Sequence, residues 1–208
     1  MTKKEIRQQI REITQQKKHD LPGLSNAVCQ KILSSKIYKQ SKIILAYSPL
    51  PDEVNILSVI TDALQNGKKV FLPKIKPDCD VMDFFEFSDE SQMMEGKYGI
   101  LEPKEGGQKF EIGRWRDGVL EESDREEGEL AAGVRTGAAG ARAGGVLALV
   151  PGRAFSEDGS RVGRGKGFYD RYFGVGKGDV TLAGVCFPFQ ILSQVPVSQF
   201  DVKMDLLF

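Results

Sequence analysis

The chain has little histidine, little cysteine, no net charge and no long apolar run. Its single histidine, His19, lies in the polar stretch QQKKHD. One solvated imidazole argues against a Ser-His-Asp triad, a histidine-based zinc site or a histidine general base. The three cysteines, Cys29, Cys79 and Cys186, are far apart and form no C-x-x-C. That is the pattern of reduced thiols in a cytosolic protein. Lys plus Arg total 29 and Asp plus Glu total 29, so bulk charge favours neither nucleic acid nor a membrane surface. Any anion site must come from local clustering. The N-terminal MTKKEIRQQIREI is charged and amphipathic, unlike a signal peptide, and no window of about 18 apolar residues offers a membrane span. The expectation is a soluble, cytoplasmic, monomeric protein. Its 208 residues suffice for a sizeable core in a single domain.

What is present is an alternation of helical and extended patterns. Ile6, Ile10 and Ile13 share one helical face within residues 3–18. A second helix is expected over 25–37, with Ser25 as N-cap and Val28, Ile32 and Leu33 as its stripe. KIILAYSPL, KKVFLPKI, MDFFEF, GVLALVPG and TLAGVCF read as strands. VNILSVITDALQNG reads as a helix with Gly67 just past its end, and FYDRYF as the opening of another. The β-α-β order predicts an α/β fold with a parallel sheet and helices on its faces. Residues 113–145 are polar, Gly/Ala/Arg-rich and acidic in the middle, with no apolar period, and are expected to be a flexible surface insertion.

The densest chemistry lies in RVGRGKGFYDRYF, residues 161–173. Gly163, Gly165 and Gly167 alternate with Arg164 and Lys166. Glycine permits φ > 0 and a close approach of backbone to ligand, and successive N–H groups in such a loop form an anion-binding concavity. The cations add hydrogen bonds of the kind phosphate oxygens accept. Asp170 supplies a hard oxygen of the sort Mg²⁺ prefers. The run is neither a Walker A motif nor the dinucleotide fingerprint, because its glycine spacing and the residue after Lys166 differ. Apolar segments on both sides favour a phosphate and metal loop over a loose Arg/Gly surface loop.

Other candidates stay open on the residues alone. Lys3 and Arg7 share a helix face that is either solvated or folded back toward phosphates. YSPLPDEVN follows a strand's C-terminal end, where ligands bind in open α/β sheets. Glu53 there either accepts from a polar substrate ring or lies in the next helix's first turn. Tyr98 either stacks on a flat heterocycle or packs on the core, and Asp201 and Asp205 are either surface charge or metal ligands.

Taken together, these segments in this order resemble the 5-formyltetrahydrofolate cyclo-ligase family. The likeness rests on Lys3 and Arg7, YSPLPDEVN, FLP, YGILEP, VPGRAFSEDGSRVGRGKGFYDRYF and QVPVSQFDVKMD. It implies a three-layer α/β/α fold with a mostly parallel central sheet. It also implies an ATP- and Mg²⁺-dependent reaction that phosphorylates the formyl oxygen of 5-formyltetrahydrofolate, with or without a polyglutamyl tail. Ring closure then gives 5,10-methenyltetrahydrofolate, ADP and phosphate. By the resemblance, Lys3, Arg7, Arg161, Gly163, Arg164, Gly165, Lys166, Gly167, Phe168 and Tyr169 contact ATP. Arg164 and Lys166 also neutralise charge on the transferred group. Ser48, Glu53 and Tyr98 meet the folate, and Asp170 and Asp201 hold the metal. Competing readings are an RNA-binding module using the RGxG run, and a sugar-phosphate isomerase without ATP. The neutral charge speaks against the first, and the loop's charge density against the second.

Overall fold

The computed structural model describes residues 1–76, 81–96, 99–104, 106–113, 115–116, 119–120 and 145–208. Tyr98, Cys79 and almost all of the expected insertion at 113–145 lie outside the described residues.

Helix α1 (Lys3–Gln16) starts at a capping box: the Thr2 side chain accepts from the Glu5 N–H, and the Glu5 carboxylate accepts from the Thr2 N–H. Its buried face carries Ile6 and Ile10. Helix α2 (Leu21–Ser34) begins four residues before the expected start. Pro22 in its first turn has a φ already suited to a helix, and Ser25 is interior, accepting instead from the Asn55 N–H. The expected single helix also breaks at Ser35, whose extended backbone caps the short α3 (Lys36–Gln40).

The order then runs β1 (Ile43–Leu45), α4 (Leu57–Gln65), β2 (Lys69–Ile75), β3 (Met82–Phe87), β4 (Met93–Glu95), β5 (Leu101–Pro103) and β6 (Lys109–Phe110). After these come β7 (Trp115–Arg116), β8 (Val119–Leu120), β9 (Val146–Pro151), β10 (Ala154–Ser156) and β11 (Arg161–Val162). The chain finishes with α5 (Phe168–Gly174), β12 (Val180–Val185), β13 (Ile191–Leu192) and β14 (Leu206–Leu207). Gly67 takes φ +69 just past α4 and ends it as expected.

Seven strands form one sheet in the order β14-β12-β9-β1-β2-β3-β6. Pairings from β14 through β2 are parallel, while β2–β3 and β3–β6 are antiparallel. Only residues 76–81 join β2 to β3, too few for the crossover that a parallel neighbour needs. The sheet is thus mixed and mostly parallel. Its central strands are buried on both faces, which explains their unbroken apolar runs. Ile44, Leu147 and Leu149 pack under α2, α3 and α4, while Ile43, Leu45, Val146 and Ala148 face α5. Ile6 and Ile10 of α1 pack on a second sheet, β11-β10-β13. No helix among the described residues is long and apolar enough to cross a membrane.

Candidate active site

Strand order reverses between β1 and β9: the chain proceeds outward from β1 to β2 and later from β9 to β12. Open α/β sheets bind ligands outside the carboxyl ends of the strands at such a point. A cavity of about 490 Å³ lies there, bordered by Tyr47 and Ser48 past β1, Pro73 and Ile75 of β2, and Pro151 of β9.

The glycine loop, residues 163–167, closes one end of this cavity. Gly165 has φ +109 and Gly167 φ +67, values that side-chain-bearing residues rarely adopt. Helix α1 reaches the loop from the other side. Arg7 Nε donates to the Gly163 carbonyl at 2.7 Å, and Lys3 is ion-paired with Asp201. The face carrying Lys3 and Arg7 therefore folds back onto the loop, and all four residues border the cavity.

Arg161 lies deeper, with its side chain 4% exposed. It donates to Asp170 Oδ2 at 2.9 Å and to the Pro151 carbonyl at 3.1 Å, and its guanidinium sits 5.5 Å from the centre of the Tyr169 ring. Its buried Nε finds no acceptor. Asp170 Oδ1 also accepts from the Val202 N–H, which ties the loop to the C-terminal segment. Phe168 and Tyr169 border the cavity at the start of α5. Burial, with Glu53 adding to it, pushes the Tyr169 hydroxyl well above its ordinary pKa, so it remains protonated.

Glu53, in the turn after β1, reaches the glycine loop. Its Oε2 accepts from the Leu50 N–H at 3.1 Å and its Oε1 from Arg164 Nε at 2.7 Å. Arg164 also pairs with Asp52, which in turn accepts from Arg153 Nη1 at 2.6 Å. Burial raises the Asp52 pKa, but Arg164 and Arg153 outweigh it and hold the carboxyl below its ordinary value. Ser48 donates to the Leu101 carbonyl at 2.6 Å and so pins this segment to β5.

The remaining wall is apolar. Ile75 and Met82, cross-strand partners on β2 and β3, join Pro73, Leu50 and Ile100. Strand β1 ends at Leu45 opposite Phe71, so β2 has an open edge beyond that point. Pro73, which has no N–H to offer a neighbour, stands on that edge. Glu102 of β5 borders the cavity too, although it is 4% exposed. Sequence reading missed it, as it missed Asp52 and Arg153. The one signal for Glu102 was its place in YGILEP. Phe84 and Phe85 are neighbours on β3 and so point to opposite faces of the sheet. Phe84 is buried against Tyr172 and Phe173, and neither phenylalanine borders the cavity.

Arg164, Lys166, Ser48, Glu53, Asp170 and Asp201 thus line the same cavity. Asp205 does not: it pairs with Lys177 and accepts from the Leu182 N–H elsewhere. Mg²⁺ is usually held by one or two carboxylates together with substrate phosphates. Asp170 and Asp201 are two carboxylates that border the same cavity. Among the described residues no cluster of three or more His, Cys, Asp or Glu side chains could hold a metal unaided. The donor set fits an ion that arrives with phosphates. The two described cysteines, Cys29 and Cys186, are buried free thiols, and burial pushes the Cys186 thiol up to about 12, which keeps it inert.

A mostly parallel α/β sheet with a cationic glycine loop facing an apolar wall at its strand-order reversal defines an α/β enzyme with a two-ended cleft. A sequence model of the 5-formyltetrahydrofolate cyclo-ligase family matches residues 1–120 and 136–208, and the chain belongs to that family of ligases. It is 28% identical to the probable 5-formyltetrahydrofolate cyclo-ligase of Caenorhabditis elegans, over 97% of this chain and 91% of that one. It is 30% identical to the 5-formyltetrahydrofolate cyclo-ligase of Mus musculus, over 85% of this chain and 77% of that one. The NMR structure of Aquifex aeolicus 5,10-methenyltetrahydrofolate synthetase matches with a TM-score of 0.72 at 24% identity, covering 100% of this chain and 89% of that chain. At that identity the likeness speaks for the fold alone.

Proposed function

We propose that this chain converts 5-formyltetrahydrofolate to 5,10-methenyltetrahydrofolate in an ATP- and Mg²⁺-dependent reaction. The observation that carries this reading is that one cavity is lined both by cations with a glycine loop and by an apolar wall, with Glu53 against Arg164 where the two meet. A triphosphate suits the first lining, and a flat, partly polar heterocycle suits the second.

The formyl oxygen belongs to an amide and is already nucleophilic. It attacks the γ-phosphorus of ATP, and ADP leaves. The N10 nitrogen then attacks the activated formyl carbon, loses its proton, and phosphate departs with the C–O bond. Phosphoryl transfer asks mainly for positioning and charge neutralisation, so a chain with one distant histidine can perform it. In this reading Lys3, Arg7 and the loop N–H groups position the phosphates. Arg164 and Lys166 oppose charge growing on the transferred group. Arg161, whose Nε is without an acceptor, holds the base of the loop through Asp170. Glu53, Ser48 and Tyr98 bind the folate. Asp170 and Asp201 would hold Mg²⁺, which supplies further neutralisation of the phosphates when bound.

The test is the near-ultraviolet absorbance of purified protein mixed with 5-formyltetrahydrofolate. The methenyl product's band should rise only when Mg-ATP is added. No rise from a folded protein, as judged by circular dichroism, removes the proposed reaction.

A further inference from the structure

Asp52 takes no part in the chemistry just proposed, yet it holds two arginines. Its Oδ2 accepts from Arg153 at 2.6 Å, and its Oδ1 accepts from Arg164. Arg164 gives its Nε–H to Glu53 at 2.7 Å. The four side chains form one line, Arg153–Asp52–Arg164–Glu53, with no net charge. Side-chain exposure is 13% at Arg153 and 9% at Glu53, so the line is shielded at both ends, while Asp52 and Arg164 between them are about a third exposed. Exposed single ion pairs are worth little, but shielded networks with forked arginine contacts hold their geometry.

The consequence concerns binding. Arg164 is assigned to the nucleotide's phosphates and Glu53 to the folate, yet here each is the other's partner. Neither can turn fully to its ligand while the pair is intact. We propose that Asp52 is a positioning residue, latching Arg164 onto the folate segment until substrate binds, so that nucleotide and folate promote each other's binding. This rests on the function proposed above. A folate that engages Glu53 removes one of the two carboxylates holding Arg164, and the phosphates then take Arg164 more easily. The reverse holds by the same factor, since coupling between two sites is reciprocal. Binding to a protein that is mostly latched is weakened by the fraction that is unlatched. Arg153 keeps Asp52 in place.

The experiment is calorimetric titration with the Mg²⁺ complex of a non-hydrolysable ATP analogue, with and without saturating 5-formyltetrahydrofolate. In the unaltered protein the folate should tighten nucleotide binding roughly 5- to 50-fold, within the usual range of such couplings. In Asp52→Asn and Asp52→Ser the nucleotide alone should bind tighter by most of that factor and folate should then tighten it little further, because the latch needs both carboxylates on Arg164. Asp52 lies on an exposed-side turn, and two different replacements guard against an accident of folding. If Asp52 merely repelled phosphates, both affinities would tighten equally, and that result overturns the latch. So does an unaltered protein that turns over its substrates but shows no coupling. A protein that binds neither substrate overturns the assigned function, and the latch with it.

Discussion

At its cationic end the cavity is held together by bonds among its own charges. At its apolar end it is a wall of side chains that need no partner. Lys3 is on Asp201, Arg161 on Asp170, and Arg164 on Asp52 and Glu53. Pro73, Ile75 and Met82, in contrast, stand on paired strands with their shape already set. A highly charged ligand must exchange partners with the first end, whereas an apolar ring need only displace water from the second. A preformed wall keeps its ligand's ordering cost low. A pre-paired cation cluster keeps its charges from repelling one another while no ligand is bound.

That contrast can be broken at either end. The largest effect is expected from Lys166→Ala: the Mg-ATP-dependent rate should fall by about 10²–10³-fold with the circular dichroism spectrum intact. A near-normal rate removes Lys166 from the mechanism. Next, Asp170→Asn strips the buried Arg161 of its counter-ion. Leaving a buried cation uncompensated should destabilise the fold by about 3 kcal/mol, read as a lower urea midpoint at unchanged slope. At the apolar end, Ile100 is only partly buried and borders the cavity. Ile100→Ala should raise the KM for folate roughly three- to tenfold and leave kcat and the KM for ATP near their usual values, the signature of lost uniform binding. A change in the ATP KM with the folate KM unaltered would show that Ile100 serves the nucleotide instead.

The smallest effect is acid sensitivity. Burial raises the Asp201 pKa, but Lys3 and the Ser198 N–H outweigh it and hold the carboxyl below its ordinary value. Asp52 is depressed in the same direction by its arginines. Groups with lowered folded values contribute stability that is fully present above the ordinary value and is lost as pH falls through the folded ones. Thermal midpoints should therefore be flat above about pH 5 and decline below about pH 4. Lys3→Met should flatten part of that decline.

The same contrast explains what could be read from the residues. The cationic end was legible because one continuous stretch, RVGRGKGFYDRYF, carries it, and glycine spacing with alternating cations has few other uses. Strands such as 82–87 were legible because a short run rich in phenylalanine favours extended backbone. The apolar wall was not, since its members come from four segments with no shared pattern. The ion-pair line was hidden for a related reason: Asp52 and Arg153 meet across 101 residues. Strands of two or three residues, such as Ile191–Leu192 pairing with Phe155–Ser156, are too short to show any period. The early start of α2 was misread because Ser25 resembles a cap, whereas Pro22 sets the true first turn.

Helix α1 also bears on how the chain is made. Its bond to Gly163 spans 156 residues and its pair with Asp201 spans 198. At about 5–20 residues per second, ribosomes leave the helix without those partners for roughly 10–40 s. During that wait its Ile6 and Ile10 have no sheet to cover them. A segment made well before its partners is therefore among the last to dock, and its apolar face waits for the strands that cover it.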